Sequence, residues 1–308
     1  MGVPLLDRAL IYVTGKGGVG KTTVAASIGL AAAARGKRTI VCEVAEQQRM
    51  SRAFAHAGVG RDREARLAPD LYAVTVDPQH ALEEWLSRQV GGSALRILGR
   101  SQAFHYFVAA APGARELITI AKIWELAQLE RWDRSGRTYD LVVVDAPASG
   151  HGIAMLQTPS TFGDIARVGP IQRQAYKVRD MLGDPARTGY VAVALPEEMP
   201  VNETLELEER LHEAVGADLD AIVVNALMPE RVSAEELGRL RELVAGDGVH
   251  PALHAALAAE ERARMQHAQV RWLRRRARAP VITLPFLFEG DIELDDLAEL
   301  GERLGRRL

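Results

Sequence analysis

Fifteen consecutive residues constrain this chain more than any others: Ala9-Leu10-Ile11-Tyr12-Val13-Thr14-Gly15-Lys16-Gly17-Gly18-Val19-Gly20-Lys21-Thr22-Thr23. An apolar run of strand character ends in a glycine-rich turn. The turn feeds an alanine-rich segment, Val24 to Arg35, that has helical character and stops at Gly36. Gly15, Gly20, Lys21 and Thr22 fit the spacing G-x-x-x-x-G-K-[ST] of a phosphate-binding loop. Each part of the pattern has a physical reason. Glycines let the backbone bend so that successive N–H groups face the oxygens of a phosphate chain. A helix that begins at the same point adds its positive dipole end. Lys21 supplies a point charge for the β and γ phosphates, and the Thr22 hydroxyl is a ligand for Mg²⁺.

The remaining chain alternates between strand and helix patterns. Strand character falls on Arg38 to Glu43, Leu71 to Val76, Tyr139 to Asp145, Tyr190 to Leu195, Leu219 to Asn225 and Val281 to Leu284. Helical patterns occupy 79–131, 152–156, 159–184, 201–214, 233–246, 252–276 and 292–304, whereas 44–70 reads as loop and short helix. Alternation of this kind predicts an α/β fold, a doubly wound and mostly parallel sheet whose ligands sit at the carboxyl ends of its strands. The run Leu141-Val142-Val143-Val144 suits a strand covered on both faces. Asp145 ends it, where a carboxylate linked to Mg²⁺ belongs. No linker long enough to divide the chain is present, so residues 1–308 are expected to form one domain. Residues 79–131 form a helical insertion within it. Its apolar residues, from Trp85 to Val108, serve either as ordinary packing or as a groove for an apolar client.

Composition narrows the function classes. With a net charge of −3, the chain carries no global field that favours nucleic acid or anionic membrane. Cys42 is the sole cysteine, which excludes an intrachain disulfide and a cysteine-cluster metal site. No apolar run approaches the ~20 residues that span a bilayer. A cytoplasmic protein without an integral membrane segment is the expectation.

Lys16, directly after the first glycine, matches the deviant phosphate loop K-G-G-x-G-K-[ST] of the superfamily that includes ParA, MinD, the nitrogenase iron protein and ArsA. Asp145-Ala146-Pro147-Ala148-Ser149-Gly150-His151 resembles the second switch D-T-A-P-T-G-H of the ArsA family. Ile222-Val223-Val224-Asn225 resembles the strand whose terminal asparagine holds adenine. The chain thus resembles the ArsA family, the arsenite-pump and tail-anchored-protein-targeting ATPases, over about residues 9–290 in matching order. That resemblance implies an ATPase that works as a dimer, with ATP and Mg²⁺ as its ligands. Gly15, Gly17, Gly18, Val19, Gly20, Thr22 and Thr23 would line the phosphate cradle, and Lys21 would bind the β and γ phosphates. Lys16 would reach the nucleotide of the partner, either a second copy or a paralogue. Asp145 would hold Mg²⁺ together with Thr22. Asn225 and Pro285 would hold adenine, and Glu197 would touch nucleotide across the dimer.

The departures from the family pattern bear on activity. The family's first switch, S-T-D-P-A, supplies an aspartate to the attacking water; here the stretch is Glu43-Val44-Ala45-Glu46-Gln47, with Ala45 at that position. Glu43 or Glu46 would have to substitute, and Glu43 is the candidate carried forward. Hydrolysis is expected to be slow. The cysteines of the tail-anchor ATPase and of the arsenite pump are missing, so binding of a soft metalloid by thiolates is not expected. The E-V-x-x-x-Q character of Glu43-Val44 with Gln47 or Gln48 resembles the bacterial ArsA-like branch. Three functions compete: an ATP-driven dimer switch with an apolar client or protein partner, a nucleotide-gated scaffold that scarcely hydrolyses, and a positioning ATPase of the ParA or MinD kind. The last draws on the run Arg271, Arg274, Arg275, Arg276 and Arg278, which otherwise reads as a solvated helix face, and no nucleic-acid partner is expected.

Overall fold

The structure is a computed structural model, and it describes residues 3–44, 64–90, 113–132, 136–166, 168–245, 251–288 and 292–308. Each apolar run forms a strand, because β-branched side chains pack well on a pleated surface covered from both sides. The strands are β1 (Leu10–Gly15), β2 (Thr39–Glu43), β3 (Ala65–Ala68), β4 (Leu71–Thr75), β5 (Leu141–Asp145), β6 (Thr188–Ala194), β7 (Ala221–Leu227) and β8 (Val281–Pro285). They form one sheet in the order β3-β4-β2-β5-β1-β6-β7-β8. The neighbours are parallel, apart from the antiparallel pair β3–β4. The helices are α1 (Lys21–Ala33), α2 (Pro78–Val90), α3 (Ala114–Leu126), α4 (Ser149–Ala166), α5 (Pro170–Leu182), α6 (Glu198–Val215), α7 (Ala234–Val244), α8 (Pro251–Arg276) and α9 (Leu294–Gly305).

The period of two along each strand divides the core into two layers. Leu10, Tyr12, Val142, Val144, Tyr190 and Ala192 join one cluster with Ile123 of α3, Leu156 of α4, Val178 of α5, Leu211 of α6 and Leu273 of α8. Ile11, Val13, Leu141, Val143, Val191 and Val193 join the other with Val24 and Ile28 of α1 and with Leu297, Leu300 and Leu304 of α9. Those three leucines recur at three- and four-residue spacing, which lays one face of α9 along α1. Each such side chain contributes about 1.5–3 kcal/mol by leaving water.

Two expectations are corrected. Residues 65–68 form a strand rather than loop or short helix; Ala-Arg-Leu-Ala has no strand pattern of its own and is recruited by the free edge of β4 through a bulge at Arg66/Ala68. The helix that starts near His151 does not stop before Pro159. It runs through that proline to Ala166, and the break falls instead at Gly169, with φ of 106°, before Pro170 at the first turn of α5. Proline suits that first turn because its missing N–H would have no helical partner there. Of the predicted insertion at 79–131, α2 and α3 are helical. Residues 91–112, with Leu95, Ile97, Leu98, Phe104, Tyr106, Phe107 and Val108, lie outside the described residues.

Beside the apolar contacts of α3 with the sheet lies a buried charge network. Glu125 is fully buried. Its carboxylate accepts from Arg131 Nε at 2.7 Å and from the Trp132 backbone N–H at 2.6 Å, with Lys122 Nζ at 3.0 Å. Arg131 also reaches Glu64 at 2.8 Å, and Lys122 pairs with Glu84, tying α3 to α2. Burial opposes the Arg131 charge, but Glu125 and Glu64 outweigh it and hold its pKa above the usual value. The Tyr139 hydroxyl donates to Glu64 at 2.7 Å, and burial together with that bond pushes its pKa up. Removing one member of such a cluster strands a buried charge. Glu125→Ala is therefore expected to lower the unfolding free energy by about 3–5 kcal/mol, to be measured by urea denaturation against the wild-type chain.

Candidate functional site

The carboxyl ends of β1, β5, β6 and β7 lie side by side in the middle of the sheet, and the glycine-rich loop leaves from the first of them. Gly15 ends β1 with φ of 143°, and a Cβ there would sit 2.3 Å from the Val193 carbonyl oxygen of β6. Only glycine allows that approach, so the loop leaves the sheet tight against its neighbour. Gly20, with φ of 91°, takes the left-handed conformation that caps α1. A Cβ there would collide with the Asn225 side chain, whose Nδ2 donates to the Val19 carbonyl at 3.1 Å. Asn225, at the carboxyl-end portion of β7, thus braces the loop from the adjacent strand end.

Lys21 opens α1 and is 8% exposed. Its ammonium folds back over the loop and donates to the Lys16 carbonyl at 2.8 Å. The helix N-terminus and this lysine present positive potential to the same loop, which suits an anion. Thr22 Oγ1 donates to Asp145 Oδ2 at 2.6 Å. Ladder register brings Asp145 opposite Val13 of β1 and Glu43 of β2. Glu43 and Asp145 are both buried, at 3% and 7%, and Thr75 Oγ1 lies 3.4 Å from Glu43 Oε2. The donor set of hydroxyl and carboxylate oxygens fits a hard cation of the Mg²⁺ type. Mg²⁺ takes one or two protein oxygens and completes its shell with water and phosphate.

The two lysines of the loop differ in fate. Lys21 is enclosed, whereas Lys16 is 39% exposed and its Nζ reaches out to Glu203 Oε1 of α6 at 2.6 Å. Glu203 went unnoticed in the sequence, and nothing short of the tertiary contact marks it. Glu197, at the N-cap of α6, is half exposed and pairs with Arg262 of α8 at 3.2 Å. Pro285 ends β8, and Phe286 N–H donates to the Leu227 carbonyl at 2.9 Å. Phe286 and Phe288 meet edge to face at 5.0 Å, and Arg231 stacks over Phe288 at 4.8 Å. His151 lies in the first turn of α4 and is exposed, and the Tyr12 hydroxyl donates to the neighbouring Gly152 carbonyl at 3.0 Å. Ala45, Glu46, Gln47 and Gln48 lie outside the described residues.

Comparison with known proteins places the chain among relatives of one family. Residues 8–174 and 164–243 match the family model described as anion-transporting ATPase, ArsA. The ATPase BagA of Mycobacterium tuberculosis is 30% identical, over 97% of this chain and 93% of its own length. A putative arsenical pump-driving ATPase of Halobacterium salinarum is 25% identical over 97% of this chain, which spans only 45% of that larger protein. The ATPase GET3 of Kluyveromyces lactis is 27% identical over 71% of this chain and 72% of its own length.

Cys42 sits beside Glu43 in β2, fully buried, and burial pushes its thiol far above the usual range. A thiol held protonated is neither a nucleophile nor a soft-metal ligand. The folded chain is expected to leave Cys42 unmodified by Ellman's reagent at mildly alkaline pH, with one equivalent of thiol released only after denaturation in urea.

Proposed function

This chain belongs to the anion-transporting ATPase family, ArsA, in its bacterial branch, and on that premise we propose that it is an ATP-binding and ATP-hydrolysing switch that works as a dimer. Its partner would be a second copy or a paralogue, and nucleotide state would govern binding of an apolar segment or partner protein. The observation that carries the reading is the divergence of the two loop lysines. Lys21 is committed to its own loop, whereas Lys16 extends away from it and is held by a half-exposed carboxylate. A lysine so placed can exchange Glu203 for the phosphates of an apposed subunit with little change in its own backbone.

In this reading the backbone N–H groups of Gly17, Gly18, Val19, Gly20, Thr22 and Thr23 receive the phosphate oxygens. Lys21 turns from the Lys16 carbonyl onto the β and γ phosphates. Thr22 and Asp145 would hold Mg²⁺, which when bound would neutralise charge developing on the phosphate oxygens. Glu43 orients the attacking water from the neighbouring strand end; its ladder pairing with Asp145 puts the two carboxylates side by side. Asn225 and the Pro285 segment receive adenine, and Glu197 faces the second subunit. The helical insertion at 79–131 carries the client surface. Catalysis of this kind rests on positioning and on charge stabilisation rather than on covalent chemistry.

The test is the mass in solution of the wild type and of Lys16→Ala, without nucleotide, with ADP, and with a non-hydrolysable ATP analogue plus Mg²⁺. The expected result is a dimer with the ATP analogue alone that Lys16→Ala abolishes; a wild type that stays monomeric in every state, alone and with candidate paralogues, overturns the reading. Glu203→Gln removes the competing partner of Lys16. A partly exposed ion pair contributes about 0.2–1 kcal/mol, so this variant is expected to tighten ATP-dependent dimerisation by at most about fivefold, read from the dissociation constant in analytical ultracentrifugation.

A further inference from the structure

Strand β8 closes one end of the sheet, with β7 on one side and no described strand on the other. Residues of a strand in a parallel ladder turn their N–H and C=O groups alternately to one neighbour and away from it. Ile222 N–H donates to the Pro280 carbonyl at 2.9 Å, and Ile222 is level with Val281. The main-chain groups of Val281 and Thr283 therefore point outward, along the open edge. Over that edge lies a cleft of about 300 Å³, lined by Val281, Ile282 and Thr283 and by Arg274, Arg303, Arg306 and Arg307. The arginines come from both helical layers: Arg274 from α8, Arg303 from the last turn of α9, and Arg306 and Arg307 from the residues just after its end. Arg303 and Arg306 carry exposed carboxylate partners one turn back, Glu299 and Glu302. Arg274 and Arg307 have no carboxylate partner among the described residues. An acidic chain thus keeps a concentration of positive charge around an unpaired strand edge.

We propose that this edge binds an acidic, extended segment of a partner protein as an additional strand. Two complementary features select that partner. The outward edge offers donors and acceptors in alternation, which a peptide backbone satisfies and a phosphate group, able only to accept, does not. Side chains of an added strand project alternately to the two faces of the sheet. One row meets Arg274 and the other meets the α9 arginines, so carboxylates on both rows are recognised and a run of consecutive acidic residues fits best. Guanidinium groups bind carboxylates in the bidentate geometry that favours arginine over lysine at such a site.

The test uses the full chain, without nucleotide, and a fluorescein-labelled peptide of sequence Glu-Glu-Val-Glu-Val-Glu-Glu, followed by fluorescence anisotropy at low salt. Saturable binding is expected, absent for the peptide with lysine in place of each glutamate. The double variant Arg274→Glu/Arg307→Glu is expected to weaken it about tenfold or more. The same acidic peptide methylated on alternate backbone nitrogens keeps its charge but cannot complete the ladder, and a loss of about tenfold is expected there as well; this arm uses the wild-type chain and so does not depend on a variant folding. Undiminished binding of the methylated peptide, or by the double variant, overturns the proposal. So does displacement of the peptide by inorganic tripolyphosphate or by a DNA oligonucleotide at lower concentration than by unlabelled peptide, which would assign the cleft to phosphate.

Discussion

The register of β1 between β5 and β6 is the constraint on which the site depends. Pairing of Val13 with Asp145 brings that carboxylate within hydrogen-bond reach of Thr22, on a different element. Pairing of Gly15 with Val193 brings the start of the loop against a carbonyl that no side chain would tolerate. A slip of one residue in either ladder would turn every side chain of the strand to the opposite layer. Both layers are apolar and closely filled, so the slip would expose half the core and bury polar groups. Hydrophobic packing thereby acts as the positional standard for the polar chemistry at the strand ends.

That division of labour recurs in the charges. Lys21, Glu43 and Asp145 are all nearly enclosed, although isolated charges are costly to bury. They are tolerated because they cluster at the strand ends, where oxygens and N–H groups surround them. A second enclosed cluster, Glu125 with Arg131, Lys122 and Glu64, lies at the base of the helices that flank residues 91–112. It fixes the orientation of α3 through directional bonds where an apolar contact would permit sliding. Glu203 and the cleft arginines belong to a different class. They are partly exposed and lightly held, and this suits groups that change partners.

Much of the architecture was legible in the chain because most of its strands are short apolar runs rich in Val, Ile, Leu and Ala, and Leu141–Val144 is an unbroken run of the kind that buried parallel strands share. The loop was legible for a related reason: its glycines and its lysine answer to covalent geometry and charge, which do not vary with context. β3 was not legible, since Ala65–Ala68 becomes a strand only because β4 leaves an edge to pair with. The extent of α4 was misjudged because Pro159 is disfavoured inside a helix by local rules, yet the helix packs on α3, α5 and α6 and continues through it. Asn225 was singled out by the resemblance of Ile222–Asn225 to a family strand, but its donation to the Val19 carbonyl belongs to the assembled sheet.

By itself the sequence determined the α/β class, the glycine-rich loop with both its lysines and the placement of Asp145 at a strand end. These follow from short-range spacing and residue type, because a loop, a helix start or an apolar strand is specified within a few residues. Tertiary structure alone decided which carboxylate holds Lys16, that Asn225 braces the loop, that Tyr12 fastens the start of α4 through Gly152, and that arginines far apart in sequence gather over the edge of β8. Each of these joins residues far apart along the chain. The order and register in which the strands assemble bring them together, and no local pattern of residues encodes that order.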